Sequence, residues 1–248
     1  MAKLNTIVRY LNSLFKPRSI SDVSRNGLQF KGKSDVKKIA FAVDACLDSF
    51  KKAKAAGADI LVVHHGLFWK GEEDDDILKK RISFLKKNGL SLYAMHLPLD
   101  RHPMYGHNIH LSWRLGLKNI KPFGEYKGQK IGYHGNSNLS LKQIKSVLDR
   151  NIKTKSVIYN FSKGKARNIA IISGRGTFAL PEASKKNIDC MITGELSHEY
   201  YLIAKDANVS VIQIGHYASE TIGLKVLMKL IKQKFNISTV FLDIPTGL

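Results

Sequence analysis

Three stretches of this 248-residue chain place imidazoles and carboxylates just where a strand would end. Ile60-Leu61-Val62-Val63 runs into His64, His65 and Gly66. Leu90 to Met95 leads to His96, with Asp100 four residues further on, and Val209 to Ile214 leads to Gly215, His216 and Glu220. Short apolar runs of this kind read as buried strands, and ligands of α/β proteins sit beyond the carboxyl ends of such strands. Neighbouring residues leaving a strand point to opposite sides. His64 and His65 are therefore expected to serve two ions side by side, or to divide into one ligand and one support.

The candidate ligand set is His64, His65, Asp100, His216 and Glu220. Mixed imidazole and carboxylate donors suit zinc, iron, manganese or nickel, and argue against a thiolate site or an all-oxygen calcium site. So many protein ligands exceed what one catalytic ion needs, since such an ion keeps an open position. They suit two divalent ions about 3.5–4 Å apart, whose chemistry is hydrolytic. His96 by itself reads as either a buried hydrogen-bonding residue or a ligand. His102, His107 and His110 read as loop or helix-surface positions.

The elements that must position these residues alternate along the chain. Leu4, Ile7, Val8, Leu11, Leu14 and Phe15 have helical spacing and stop before Pro17. Helices are expected next from Asp48, as N-cap, to Gly57, and from the acidic cluster Asp74, Asp75 and Asp76 onward. A turn into a short strand is expected over 26–30, strands at 39–43, 60–63 and 90–95, and a helix at 106–115. Pro122, Gly124 and Gly128 interrupt all periodicity between Lys118 and Gln129. The rhythm then resumes with strands at 130–134, 156–161, 168–172, 189–193, 209–214 and 239–242. Helices at 141–149, 178–186, 197–207 and 219–235 lie among them. This alternation argues an α/β fold with largely parallel sheets, and the break divides it into lobes at 1–124 and 125–248.

Forty Lys and Arg against twenty Asp and Glu give a net charge of +20. Such a balance speaks of partners rather than of fold. It fits nucleic acid or a phosphorylated ligand, set against the plainer reading of lysine-rich, solvated helix faces. Cys46 and Cys190 form no CxxC pair, which excludes zinc-finger chemistry and a disulfide framework. No apolar run approaches the ~20 residues of a membrane span, and Met1 to Phe15 lacks the features of a signal peptide. A cytoplasmic protein with no membrane partner is the expectation.

Val63-His64-His65-Gly66-Leu67-Phe68-Trp69-Lys70-Gly71 and His96-Leu97-Pro98-Leu99-Asp100-Arg101-His102-Pro103 resemble two signatures of the YbgI-like proteins. That family is also called NIF-three-like and is often labelled GTP cyclohydrolase I type 2 homologue. Asn26-Gly27-Leu28-Gln29, Asp44, Thr193-Gly194-Glu195 and Gly215-His216-Tyr217-Ala218-Ser219-Glu220 resemble further family motifs in the same order. The resemblance implies two α/β lobes with a dinuclear metal centre at their interface, and a toroidal homohexamer. It assigns the ligands to His64, His65, Asp100, His216 and Glu220, with Asp100 and Glu220 as bridges. His96 matches a further histidine near the metals, as a ligand or a proton-transfer residue. The chain departs from the family at Ser24-Arg25, where an acid or amide is usual, and at Ser173-Gly174-Arg175-Gly176, where an arginine enters a glycine-rich turn and reads either as a residue beside a substrate anion or as part of a structural turn. A metal-dependent hydrolase acting on a nucleotide-like or phosphorylated small molecule is the implied activity. The alternative is a basic scaffold that binds nucleic acid or protein around structural metals.

Overall fold

A computed structural model of the chain describes residues 1–71, 75–162 and 166–248. Two compact units divide it, one formed by 1–99 with 224–244 and the other by 100–223 with 245–248.

The first unit opens on helix α1, Leu4–Phe15, whose Leu4, Ile7, Leu11 and Phe15 are buried at helical spacing. Lys16 closes it in the left-handed region (φ 46) and Pro17 prevents its continuation. Strand β1 (Gly27–Phe30) and strand β2 (Lys38–Asp44) follow. Helix α2 spans Leu47–Ala55. Its N-cap is Cys46 rather than Asp48, because the Ser49 hydroxyl accepts the Cys46 N–H at 3.0 Å. Asp48 sits in the first turn, where the helix dipole favours it. Strand β3 is Ile60–His65, helix α3 is Asp76–Asn88 and strand β4 is Ser91–Ala94. Asp75 caps α3 by accepting the Leu78 N–H at 2.7 Å. Asp74, expected in the same cluster, lies outside the described residues.

The chain then makes one turn, α4 (Leu97–Asp100), and helix α5 (His107–Arg114). The stretch expected to break the chain is instead the nine-residue strand β5, Lys118–Tyr126, in a hairpin with β6, Gln129–Asn136. Lys127 (φ 50) and Gly128 (φ 77) form its two-residue loop. Positive φ at both is the twist that matches hairpin strands. Pro122 is tolerated because β5 is an edge strand and owes no N–H to a further neighbour. Next come α6 (Leu141–Ile152), β7 (Val157–Tyr159), β8 (Asn168–Ile172), α7 (Leu180–Lys185) and β9 (Cys190–Thr193). Helix α8 (His198–Asp206), strand β10 (Ser210–Gln213) and the turn α9 (His216–Ser219) complete this stretch. The second sheet has the order β5-β6-β8-β9-β10-β7. Only β8-β9 and β9-β10 pair in parallel, so this sheet is mixed rather than mainly parallel.

Helix α10 (Ile222–Phe235) and strand β11 (Ser238–Phe241) return the chain to the first sheet, where β11 pairs in parallel with β2. The division therefore does not fall at residue 124: the last strand belongs with the first ones. The first sheet runs β11-β2-β3-β4-β1, and every pairing but the last is parallel. Ile60 to Val63 of β3 are fully covered and paired on both edges. Leu61 and Val63 pack with Ala40, Ala42, Phe50, Leu85 and Leu92. In the second unit Ile144, Leu148, Ile169, Ile171, Ile192 and Ile212 form the corresponding core. Among the described residues, no helix is long and apolar enough to cross a membrane.

The hairpin glycines are a sharp test of this fold. A Cβ on Gly132 would lie 2.4 Å from the Ile171 carbonyl oxygen, which is backbone and cannot swing aside. Gly132→Ala is expected to destabilise the protein by about 1–3 kcal/mol, the range for overpacking. An unchanged denaturation midpoint would refute this placement of β6 against β8.

Candidate functional site

In the first unit, β3 delivers His64 and His65 between two neighbours whose ends hold the rings. The Met95 carbonyl, just past β4, accepts from His64 Nδ1 at 2.9 Å, and the Asp44 carboxylate, at the end of β2, pairs with His65 Nδ1 at 2.8 Å. Asp44 and His65 are register partners across the two strands. His96 Nδ1 meets the Asp22 carboxylate at 2.8 Å. An oxygen of this kind only accepts, so each ring carries a proton on Nδ1, and in the neutral ring Nε2 holds the lone pair. The rings of His64 and His65 were expected on opposite faces, but their centroids are 4.6 Å apart. Nδ1 bonds at the strand end override the pleat. One ring nitrogen from each of His64, His65 and His96 lies within 4.8 Å of the others.

Gly66 follows because nothing larger fits: a Cβ there would be 2.2 Å from Gln29 Nε2 and 2.6 Å from Ala94 Cβ. Gln29 in turn accepts the Leu67 N–H at 2.7 Å and sets the exit from β3. Asp22 was not visible as a site residue in the sequence, since it precedes the recognisable Asn26-Gly27-Leu28-Gln29 motif and belongs to no periodic element. It accepts from the Leu97 N–H, the Ser24 N–H and the Asn26 amide as well as from His96. Asn26 also accepts the His96 N–H at 2.7 Å. Acid and amide are thus supplied two residues before Ser24 and one after Arg25.

In the second unit, Asp100 is buried and accepts from the Ser173 hydroxyl at 2.7 Å. His107 is fully buried, which corrects its reading as a surface residue. Its Nδ1 accepts the Gly223 N–H at 3.0 Å, so the proton of the neutral ring sits on Nε2, the reverse of the other site histidines. A ring nitrogen of His107 and a carboxylate oxygen of Asp100 lie within 4.8 Å. The apolar Leu111 and Leu115, four and eight residues on, put His107 on the inward face of α5. Buried Asn108 accepts the Ser173 N–H at 2.7 Å and donates to the Ile131 carbonyl at 2.8 Å, fixing the Ser173 turn to β6. His102 accepts the Met104 and Tyr105 N–H groups, and His110 contacts the Met104 carbonyl. Both stand outside any donor cluster among the described residues.

His216 opens α9 directly after Gly215, whose φ of 85 a side chain would resist. Its Nδ1 is 2.5 Å from Glu195 and its Nε2 is 3.2 Å from Glu220. Glu220 is not in the first turn of the long helix. It C-caps α9, because the Ser219 and Thr221 hydroxyls bond the His216 and Ala218 carbonyls and end that helix before α10 begins. Two glycine loops close on this pair. A Cβ on Gly174 would lie 2.4 Å from Glu220 Oε1 and 3.3 Å from His216 Nε2, and one on Gly194 would lie 2.8 Å from the His216 Cα. Burial works to deprotonate His216, but Glu220 and Glu195 outweigh it and raise its pKa to about 9. The two carboxylates thus favour positive charge at this position.

The donor chemistry fits divalent metal ions. Three imidazoles cluster in the first unit, and the second offers a His–Glu pair and a buried aspartate. His64, His65, His96 and His216 have Nδ1 engaged as metal-binding histidines do. Residues 2–246 match the family described as Duf34/NIF3 (NGG1p interacting factor 3). The chain belongs to this family. It is 46% identical to the GTP cyclohydrolase 1 type 2 homolog of Pyrococcus abyssi over 98% of each chain. It is 45% identical to the protein of the same name from Archaeoglobus fulgidus over 99% of each. The fold matches that of protein ybgI, of unknown function, with a TM-score of 0.92 and 28% identity over the whole of both chains. A Thermus thermophilus protein, TTHA1606, matches equally well, at 0.92 and 33% identity over the whole of both. The NIF3 assignment and the YbgI-like α/β fold expected from the motifs therefore both hold.

Asp22 gives this family member a pH signature. Burial raises its carboxyl pKa, while the bonds to His96, Asn26 and the Ser24 N–H outweigh that and lower it from 3.8 to about 2. A depressed carboxyl pKa contributes stability that is fully present above about pH 4 and disappears as pH falls through about 2. Asp22→Ala is expected to cost about 2 kcal/mol at neutral pH, from a shift of nearly two units. The gap from the parent protein should narrow below pH 4 in urea titrations; a gap that widens on acidification would contradict the assignment.

Proposed function

We propose that this NIF3-family chain is a metal-dependent hydrolase acting on a small nucleotide-like or phosphorylated molecule. Its ligands to two divalent ions are His64, His65, Asp100, His216 and Glu220. The observation that carries the reading is the engagement of histidine Nδ1 atoms by Met95, Asp44, Asp22 and Glu195. Outer partners of this kind orient the imidazole and raise its basicity toward a metal. When bound, the ions supply a water-derived nucleophile at neutral pH and polarise the substrate. The chain's own part is to hold donors and protons. Asp44 and Glu195 fix the rings of His65 and His216, and Ser173 orients Asp100 through one carboxylate oxygen. His96, whose Nδ1 is anchored on Asp22, presents Nε2 for proton transfer or as a further ligand.

Metal analysis and turnover assays on variants test this directly. His65→Ala and Glu220→Ala should each remove metal and activity while circular dichroism stays unchanged. Glu195→Ala should weaken metal binding by roughly 10–100-fold. Turnover by rigorously metal-free protein would end the proposal.

The net charge of +20 favours a second reading, a nucleic-acid-binding protein with structural metals. On that reading, affinity for an RNA or DNA oligonucleotide should fall steeply as salt rises, through counterion release. Absence of binding at low salt would remove it.

A further inference from the structure

Among the described residues, Arg175 is an exposed arginine that reaches a candidate ligand through a buttress. Its Nε donates to Glu195 Oε2 at 2.9 Å, and the other oxygen of the same carboxylate holds His216 Nδ1. Among the described residues, Nε is the only guanidinium nitrogen engaged, and the side chain is 81% exposed. A Cβ on the preceding residue, Gly174, would run into the side chains of Glu220 and His216, so the turn lies close beside both. The turn carrying Arg175 is itself rigid. Gly174 N–H donates to Ser219, Gly176 N–H donates to Thr193, and the Gly174 carbonyl accepts from the Glu195 N–H and the Thr193 hydroxyl.

We propose that Arg175 is a specificity-determining residue that binds an anionic oxygen group, phosphate or pyrophosphate, of the substrate beside His216 and Glu220. A guanidinium fixed through Nε keeps its two terminal NH2 groups coplanar and available for bidentate recognition of a phosphate. The Glu195 anchor removes much of the side-chain freedom that an exposed arginine would otherwise lose on binding. It also ties the guanidinium to the carboxylate that holds His216 Nδ1, so an anion bound by the fork lies near the residues proposed to hold the metals. This inference deepens the hydrolase reading and rests on it for the identity of the neighbouring chemistry.

The test is calorimetric titration of the metal-loaded full-length protein with inorganic phosphate and with pyrophosphate. Metal content is measured on the same samples. Arg175→Ala should weaken the tighter of the two anions at least tenfold with metal content unchanged, and Arg175→Lys, which keeps charge but not the fork, should recover only part of the loss. Equal affinity in parent and Arg175→Ala, or no binding of either anion by the parent, overturns the inference. So does a loss of metal that parallels the loss of anion, since Arg175 would then serve only to steady Glu195. Arginine-dependent anion binding by a protein that takes up no metal would refute the hydrolase reading and leave this one standing.

Discussion

An imidazole has two nitrogens, and a metal can use only one of them. What the other nitrogen does decides whether a buried histidine is a ligand, a donor or an inert core residue. In this protein that decision is made four times by an oxygen on Nδ1: the Met95 carbonyl, Asp44, Asp22 and Glu195. At buried His107 it is made in the other sense, by the Gly223 N–H. The fold around these bonds can be understood as the means of bringing each oxygen to its ring. Parallel pairing of β2 with β3 sets Asp44 opposite His65, and the end of β4 sets Met95 beside His64. Loops from distant parts of the chain bring Asp22 to His96 and Glu195 to His216.

The electrostatic cost of this arrangement is carried locally. Asp22 is buried, yet four donors converge on it, and its carboxyl is held low for that reason. His216 is half-buried between two glutamates; burial lowers its pKa, but they outweigh that and raise it to about 9. Replacing a proton on this ring by a divalent cation satisfies the same carboxylates with a larger charge, which is why an imidazole–carboxylate pair of this kind couples metal uptake to proton release. The glycines serve the same end by different physics. Gly66 and Gly194 are required for the space a Cβ would take from Gln29 and the His216 backbone, and Gly174 both for the space beside Glu220 and for its left-handed φ of 59.

Family membership follows from a match that spans residues 2–246. Within that frame, Asp22 and Asn26, on either side of Ser24-Arg25, both bond His96. Arg175 is tied to Glu195 and thereby to His216.

The sequence by itself determined the α/β alternation, most element positions and the histidines at strand ends, because hydrophobic period and strand-end chemistry are local properties of the chain. The runs Ile60 to Val63 and Ile169 to Ile172 could form little else. It misjudged 118–129, where Pro122, Gly124 and Gly128 look like breakers but are what an edge strand and a tight hairpin require. Which oxygen holds which histidine proton lay beyond its reach. Asp22 is 74 residues from His96 and Glu195 is 21 from His216, and no periodicity links them. His107 could be placed on an inward helix face from Leu111 and Leu115, yet its tautomer depends on a backbone N–H 116 residues away. Ligand types are written in the sequence; proton positions are decided only when tertiary structure brings each ring its partner.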